Sequence, residues 1–436
     1  MENKWTRRAV LAATAASYSR VLGANERIQV GLIGCGNLGM RHLRLYLKPI
    51  LDDGTARVAA ISDIYNGAKE RARQQVQLET KDVHHDYHDL LARKDVDIVY
   101  VVTPEHWHFR MAMDALHAGK DIYLEKPMTY TVDQAKQLAA KVKKTNRVMQ
   151  VGAQWCSDPR YRAAREIIEK GWIGKVLWAQ STYSMNSVYG VWQYEIEKEA
   201  TPQTVDWNAF LGSAPQRPFS GERFFRWRKY WDYSNGVVAD FFYHRLAPLM
   251  VTLGGQFPVL VSGHGGIYAF KDRETPDTFS MTAEYDDFFI QITSSAASFG
   301  PNRDHAPAIY GHEATISFFD EKGNDGYITV TPDPQFRKKF QEATGKAELR
   351  IGTDPSHPND IRINHARNFF ACVKSRQQPI LHADLAYQTM TGIKLSADSY
   401  RQRRMLAWDP KTQTIANEAP PRPGWEGKGE NYKEPV

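Results

Sequence analysis

Cysteine is scarce in this chain, with only Cys35, Cys156 and Cys372 in 436 residues. They are far apart and odd in number, which excludes a disulfide framework and leaves no metal-ligand spacing. Long apolar runs are also missing. No stretch approaches the ~20 consecutive apolar residues of a membrane span, which argues against membrane insertion. There is no long Lys/Arg run interleaved with aromatics. The formal net charge of +6 is dispersed, so nucleic acid is a poor partner. No internal repeat is visible. With 42% hydrophobic and 24% charged residues, the composition is that of a globular chain, long enough for about two to three domains.

The first residues have a pattern of their own. Arg7-Arg8 precedes the short apolar run Ala9 to Ala16, and small residues follow to Leu22-Gly23-Ala24. This reads residues 1–26 as a twin-arginine export signal and the protein as periplasmic or otherwise exported. A basic, Ala-rich cytoplasmic tail is the alternative. The twin-arginine route carries proteins already folded around a cofactor, which suits an exported chain without paired cysteines.

From Arg27 to about Gly152, strand and helix signals alternate. Ile28–Ile33, Val58–Ile61, Asp97–Val102, Asp121–Leu124 and Val148–Val151 read as strands. Helices are expected from Asn37 to about Leu47, Lys69 to Gln77, Phe109 to Ala118 and Val132 to Lys144. Such alternation with tight connections predicts an α/β domain with a doubly wound parallel sheet over residues 27–152. After about Gln154 the pattern changes. A helix from Tyr161 to Lys170 precedes strand-like runs at Val176–Tyr183, Val259–Ser262, Phe279–Tyr285 and Phe288–Thr293. These predict a second, α+β domain over residues 153–410 with a large, mostly antiparallel sheet. One face of that sheet is expected to be solvated or to bind a partner, which favours a homodimer or homotetramer. Asp384 is placed as N-cap of a long helix ending near Arg403. Residues 411–436 read as an extended tail.

Three motifs carry chemistry. Gly34-Cys35-Gly36-Asn37-Leu38-Gly39 follows a strand and opens a helix, the setting of a dinucleotide fingerprint. Gly34 permits the tight turn, Gly36 the approach of a pyrophosphate, and Gly39 close helix–strand packing. Asn37 and Leu38 begin the helix whose free amides face the phosphates. Asp63 ends the second strand, at the ~20-residue interval expected for a carboxylate on the adenosine ribose. It would repel a 2′-phosphate, so NAD is favoured over NADP.

Glu125-Lys126-Pro127 ends another strand, where open α/β sheets bind ligands. Lys126 there can hydrogen-bond a substrate hydroxyl and stabilise charge developing on its oxygen; a surface lysine is the plainer reading. Asp240 and His244, four apart, share a face if helical, and the carboxylate could then orient the imidazole as a general base. A structural helix-face pair is the alternative. Thr103-Pro104-Glu105-His106-Trp107-His108 would lie beside the nicotinamide. The two-residue spacing of its histidines is a weak metal signal, and no metal is expected. Seven of eleven tryptophans fall between Trp155 and Trp231. With Arg226 and Arg228 flanking Trp227, this segment suits a sugar ring, a core or a subunit interface.

In order along the chain, Gly34-x-Gly36-x-x-Gly39, Thr103-Pro104-x-His106-x-His108, Glu125-Lys126-Pro127 and Asp240-x-x-x-His244 resemble the motifs of the glucose–fructose oxidoreductase and inositol dehydrogenase family. Gly152-Ala153-Gln154 and Asn368-Phe369 are similar to later landmarks of that family. The resemblance implies a Rossmann domain followed by a substrate and oligomerisation domain, with Lys126, Asp240 and His244 as the catalytic set. It also implies a tightly bound NAD and a cis peptide at Pro127. Gly34, Gly36, Asn37, Leu38, Gly39, Asp63, Thr103, Pro104, His108, Glu125 and Gln154 are the expected cofactor contacts. Trp155, Arg226, Trp227 and Tyr243 are the expected contacts of a carbohydrate substrate. Three readings stay open: an NAD-dependent oxidoreductase on a sugar or polyol, a redox-cycling glycosidase using Tyr183, Tyr243 or Tyr233 as an extra acid/base, and a non-catalytic sugar-binding protein.

Overall fold

The computed structural model describes residues 27–300, 307–319, 326–352 and 360–418. The leader pattern at 1–26 and residues 419–436 of the expected tail lie outside these. Six strands make the first sheet: β1 (Ile28–Ile33), β2 (Ala56–Ser62), β3 (Val83–His84), β4 (Ile98–Val101), β5 (Asp121–Glu125) and β6 (Met149–Gly152). Their order is β3-β2-β1-β4-β5-β6, and every pairing is parallel. Strands β4 and β5 are buried at every position, as near-continuous apolar runs require when helices cover both faces of a sheet.

Ten strands make the second sheet: β7 (Val176–Thr182), β8 (Leu260–Gly266), β9 (Thr278–Glu284), β10 (Phe289–Ser295), β11 (Ala308–Gly311), β12 (Ala314–Phe319), β13 (Tyr327–Pro332), β14 (Leu349–Gly352), β15 (Leu406–Asp409) and β16 (Thr414–Ala416). Among the described residues only its β7–β10 pairing is parallel. Along β9, buried and half-buried positions alternate, because one face packs on helices and the other does not.

Nine helices bear on the argument: α1 (Asn37–Arg41), α2 (Asn66–Val76), α3 (Glu105–His117), α4 (Val132–Thr145), α5 (Pro159–Glu169), α6 (Gly236–Asp240), α7 (Tyr243–Leu253), α8 (Ile361–Ser375) and α9 (Ala383–Gln402). Several depart from expectation, and α8 has no counterpart in it. The helix expected over Asn37–Leu47 loosens into a π-turn over His42–Tyr46, which lets His42 reach Glu125. The single helix expected around Asp240 and His244 is broken at Phe241-Phe242, whose rings are taken by the core. His382, not Asp384, stands at the N-cap position of α9, without a side-chain cap hydrogen bond, and Asp384 falls in the first turn. Finally, α8 returns to the first sheet: Phe369 packs edge-on to the stacked rings of Tyr100 and Tyr123. The nucleotide-side core therefore closes only after the chain has passed through the second sheet.

Candidate active site

A cleft of about 980 Å³ runs along the carboxyl ends of β1, β2, β4 and β5 and ends against the second sheet. That is the upper end of the size range of ligand sites. The glycine turn forms its floor. Gly34 adopts φ +95°, and a Cβ there would lie 2.4 Å from the Val102 carbonyl oxygen. A Cβ at Gly39 would lie 2.2 Å from the Gly34 carbonyl oxygen, so this glycine lets α1 sit tightly on the turn. A Cβ at Gly36 meets no protein atom within 4 Å. The freedom at Gly36 faces the cleft, as a cradle for a pyrophosphate requires. These residues fit NAD.

Asp63 is held between two elements: its carboxylate accepts from the Cys35 amide (2.6 Å) and the Tyr65 amide (2.8 Å). Burial raises its carboxyl against these bonds. The segment after β7 crosses this end of the cleft. Glu197 pairs with Arg71 (2.8 Å) and accepts from the Tyr65 hydroxyl (2.7 Å). The Asn66 amide donates to Thr204 and the Asp206 amide to Ile64, each at 3.0 Å.

Lys126 follows β5 between two anchors. Glu125 before it is buried and hydrogen-bonded to His42 Nε2 at 2.8 Å. Burial pushes the Glu125 carboxyl up, but the His42 bond and the Lys126 charge outweigh it and hold it low. The Pro127 carbonyl after it faces His108 Nδ1 at 2.7 Å, and His108 Nε2 faces the Thr103 carbonyl at 2.8 Å. The Lys126–Pro127 peptide is cis. With its backbone fixed on both sides, Lys126 directs Nζ to Asp240 Oδ1 (2.5 Å) and the Asp240 carbonyl (3.1 Å).

Asp240 is the hub of the site. Besides Lys126 it accepts from Arg228 Nε (3.2 Å) and Trp192 Nε1 (3.0 Å). Burial would raise its carboxyl, but the Lys126 and Arg228 charges prevail and hold it far below the usual range. Its described hydrogen bonds go to these three groups and not to His244, so the expected orientation of the imidazole by this carboxylate is not seen. The carboxylate is taken up by Lys126, Arg228 and Trp192 instead. Trp192 has φ +70°, rare for a residue with a side chain, and is buried with its indole N–H on Asp240. Such a conformation persists only where surrounding contacts over-determine it.

His244 lines the same cleft, its ring 5.3 Å from that of Tyr183. Burial, then the Lys126 charge, hold its pKa well below the ordinary value, against the pull of Asp240. Its Nδ1 is buried with no hydrogen-bond partner. His106 and His365 are likewise lowered to about 4, by burial first. A histidine buried neutral contributes stability that is full above its unfolded pKa of 6.5 and is lost as pH falls toward the folded value. Glu105, raised to about 7 by burial, opposes this with a single proton. Stability should therefore fall between pH 6.5 and 4, with a net uptake of protons on unfolding, because burial lowers His108 and His244 as well. Urea denaturation across that range measures the slope, and a flat profile would contradict it.

Gly34, Gly36, Asn37, Leu38, Asp63, Thr103, Pro104, Glu125, Lys126, Gln154, Trp227, Asp240 and His244 all border the cleft. Gly39 stands behind it, packed on the turn. Four expected contacts are placed elsewhere. His108 is buried behind the wall. Tyr243 is fully buried and donates to the Ala386 carbonyl. Trp155 stacks under the Arg245 guanidinium, outside the lining. Arg226 is committed to Glu222 (2.7 Å) and the Tyr194 carbonyl, while Arg228, two residues on, enters the cleft. Of the three tyrosines considered as an extra acid/base, Tyr183 borders the cleft, while Tyr243 and Tyr233 are fully buried. The roles of His42 and Trp192 had no local signal: one depends on a π-turn, the other on a loop crossing between sheets. Among the described residues no His/Cys/Asp/Glu group could hold a metal, and no helix is long and apolar enough to cross a membrane.

A six-stranded parallel sheet carrying a glycine turn, with a carboxylate at the end of β2, defines a dinucleotide-binding Rossmann protein. Comparison with known proteins narrows this. An oxidoreductase family's NAD-binding Rossmann fold matches residues 28–153, and its C-terminal α/β domain matches residues 161–266. The chain belongs to this NAD-binding oxidoreductase family. Inositol 2-dehydrogenase of Salmonella typhimurium is 32% identical over 151 residues, 34% of this chain and 44% of that protein. The Burkholderia multivorans enzyme of the same name is 32% identical over 164 residues, 37% of this chain and 47% of its own length. The chain thus spans less than half the length of these relatives. Levoglucosan dehydrogenase in complex with NADH and levoglucosan shares the fold at a TM-score of 0.66 and 20% identity, covering 88% of this chain and 99% of that one. An oxidoreductase domain protein from Kribbella flavida aligns at 0.64 and 19% identity, covering 87% and 98%.

Proposed function

We propose that the protein is an NAD-dependent oxidoreductase acting on a hydroxyl carbon of a sugar or polyol. The observation that carries this reading is the convergence of Lys126, Asp240 and His244 at the end of the cleft away from Asp63. Asp240 fixes the Lys126 ammonium, which can donate to the reacting hydroxyl and stabilise the negative charge growing on its oxygen. His244, kept neutral, can accept the hydroxyl proton. The nearby Asp240 charge favours the imidazolium so formed, through space rather than through a hydrogen bond. NAD, when bound, accepts the hydride at the nicotinamide C4. The names of the inositol and levoglucosan dehydrogenases support a polyhydroxylated substrate. The segment that ties Glu197 to Arg71 and Tyr65 supports slow release of the dinucleotide. Export by the twin-arginine route and assembly through the open face of the second sheet belong to the same proposal, supported by Arg7-Arg8 and by the alternation along β9.

Asp63 gives a test of cofactor choice. Asp63→Ser should raise affinity for NADP relative to NAD by at least about tenfold, because a carboxylate no longer opposes the 2′-phosphate. Fluorescence titration with both nucleotides measures the ratio. An unchanged ratio would remove Asp63 from the ribose. The reading as a whole is tested by appearance of reduced nicotinamide when sugars and polyols are added to the NAD-loaded protein.

A further inference from the structure

Two cations share one carboxylate at the catalytic end of the cleft. Lys126 and Arg228 both bond Asp240, and their side chains are 7% and 17% exposed. Buried charges are stable only when paired. Glu125 lies beside Lys126 but is hydrogen-bonded to His42 Nε2, so Arg228 has only a share of Asp240. Glu105, a further acid nearby, is not bonded to Arg228. It is committed to Ser234 Oγ (2.6 Å) and the Asn235 amide (3.0 Å), and burial raises its carboxyl toward neutrality. Arg245 and Arg362 add positive charge around His244, and oxidised nicotinamide would add more.

Arg228 is the group with spare capacity. Its Nε is spent on Asp240 and its guanidinium lies 4.1 Å over the Trp227 ring, which fixes the plane. Its terminal nitrogens have no hydrogen-bond partner among the described residues, and the side chain borders the cleft. A fixed guanidinium with two free terminal nitrogens is the donor geometry that takes a carboxylate through parallel bonds.

We propose that the substrate is a sugar acid whose carboxylate is taken by Arg228 while its reacting hydroxyl faces Lys126 and His244. This rests on the reading of the cleft as a sugar-oxidising site. It makes Arg228 a specificity residue, separate in role from the proton-handling pair.

The test uses the full chain loaded with NAD and matched sugars: glucose and glucuronate, galactose and galacturonate, mannose and mannuronate. Calorimetry reads binding and absorbance reads reduced nicotinamide. At least one uronate should exceed its neutral partner about tenfold or more in affinity and in kcat/KM. Arg228→Lys retains a cation for Asp240 but lacks the fork, and should bring that ratio to within about threefold of one. Preference for the neutral sugars, or no discrimination in any pair, would overturn the proposal. A ratio unchanged in the variant would overturn the role of Arg228. Uronate binding without any hydride transfer would uphold the acid site and refute the oxidoreductase reading. Oxidation of neutral sugars without acid preference would do the reverse.

Discussion

Replacing Lys126 by methionine is expected to lower kcat by about a thousandfold or more while NAD stays bound. The size follows from position. Lys126 Nζ lies in the cleft only because Asp240 holds it through both side chain and backbone carbonyl. A donor aimed at an oxygen that gains charge in the transition state stabilises that state more than the ground state, so its loss falls on kcat rather than KM. The fold should persist, because Asp240 keeps its bonds from Arg228 and Trp192. His244→Asn should lower kcat by about a hundredfold or more, as expected for loss of a proton acceptor. Steady-state kinetics and nucleotide content of the purified variants check both. Cofactor loss from either variant would mean that these side chains hold the dinucleotide instead.

The second large effect separates two glycines of one turn. Gly36→Val should leave thermal stability nearly unchanged yet weaken NAD by about a hundredfold or more, since the new side chain would occupy space that only a ligand fills. Gly34→Val should unfold the nucleotide layer. It combines φ +95° with a Cβ 2.4 Å from a backbone oxygen, a cost of about 3 kcal/mol or more. Differential scanning fluorimetry with and without NAD distinguishes them. If both variants lose stability equally, the open side of Gly36 does not face a ligand.

Local signals made the nucleotide half readable. Strands β1, β4 and β5 are short apolar runs ended by glycine, threonine-proline or Glu125-Lys126-Pro127, so period and punctuation agreed. Lys126, Asp63 and the glycine turn lie at strand ends and inherit their positions from the sheet. Asp240 and His244 border one cleft but are not hydrogen-bonded to each other. A four-residue interval brings the two side chains to one side, but it does not show that Asp240 is already bonded to Lys126, Arg228 and Trp192 from distant parts of the chain. Arg226 and Arg228 illustrate the same limit. In a short 3₁₀ and helical segment, nothing in the local pattern says which of two arginines enters the cleft. The packing of α8 on Tyr100 and Tyr123 is a contact between distant parts of the chain, invisible to any local period.

The most direct test uses protein purified without added nucleotide. Its absorbance is recorded, then free sugars, sugar acids, polyols and aryl glycosides are added in turn while reduced nicotinamide and aglycone are followed. The account predicts reduced nicotinamide in proportion to bound NAD, or sustained turnover with external NAD, on a free sugar or sugar acid. Aglycone release over many turnovers with no net reduced nicotinamide would contradict it, and would assign the same cleft to redox-cycling glycoside cleavage.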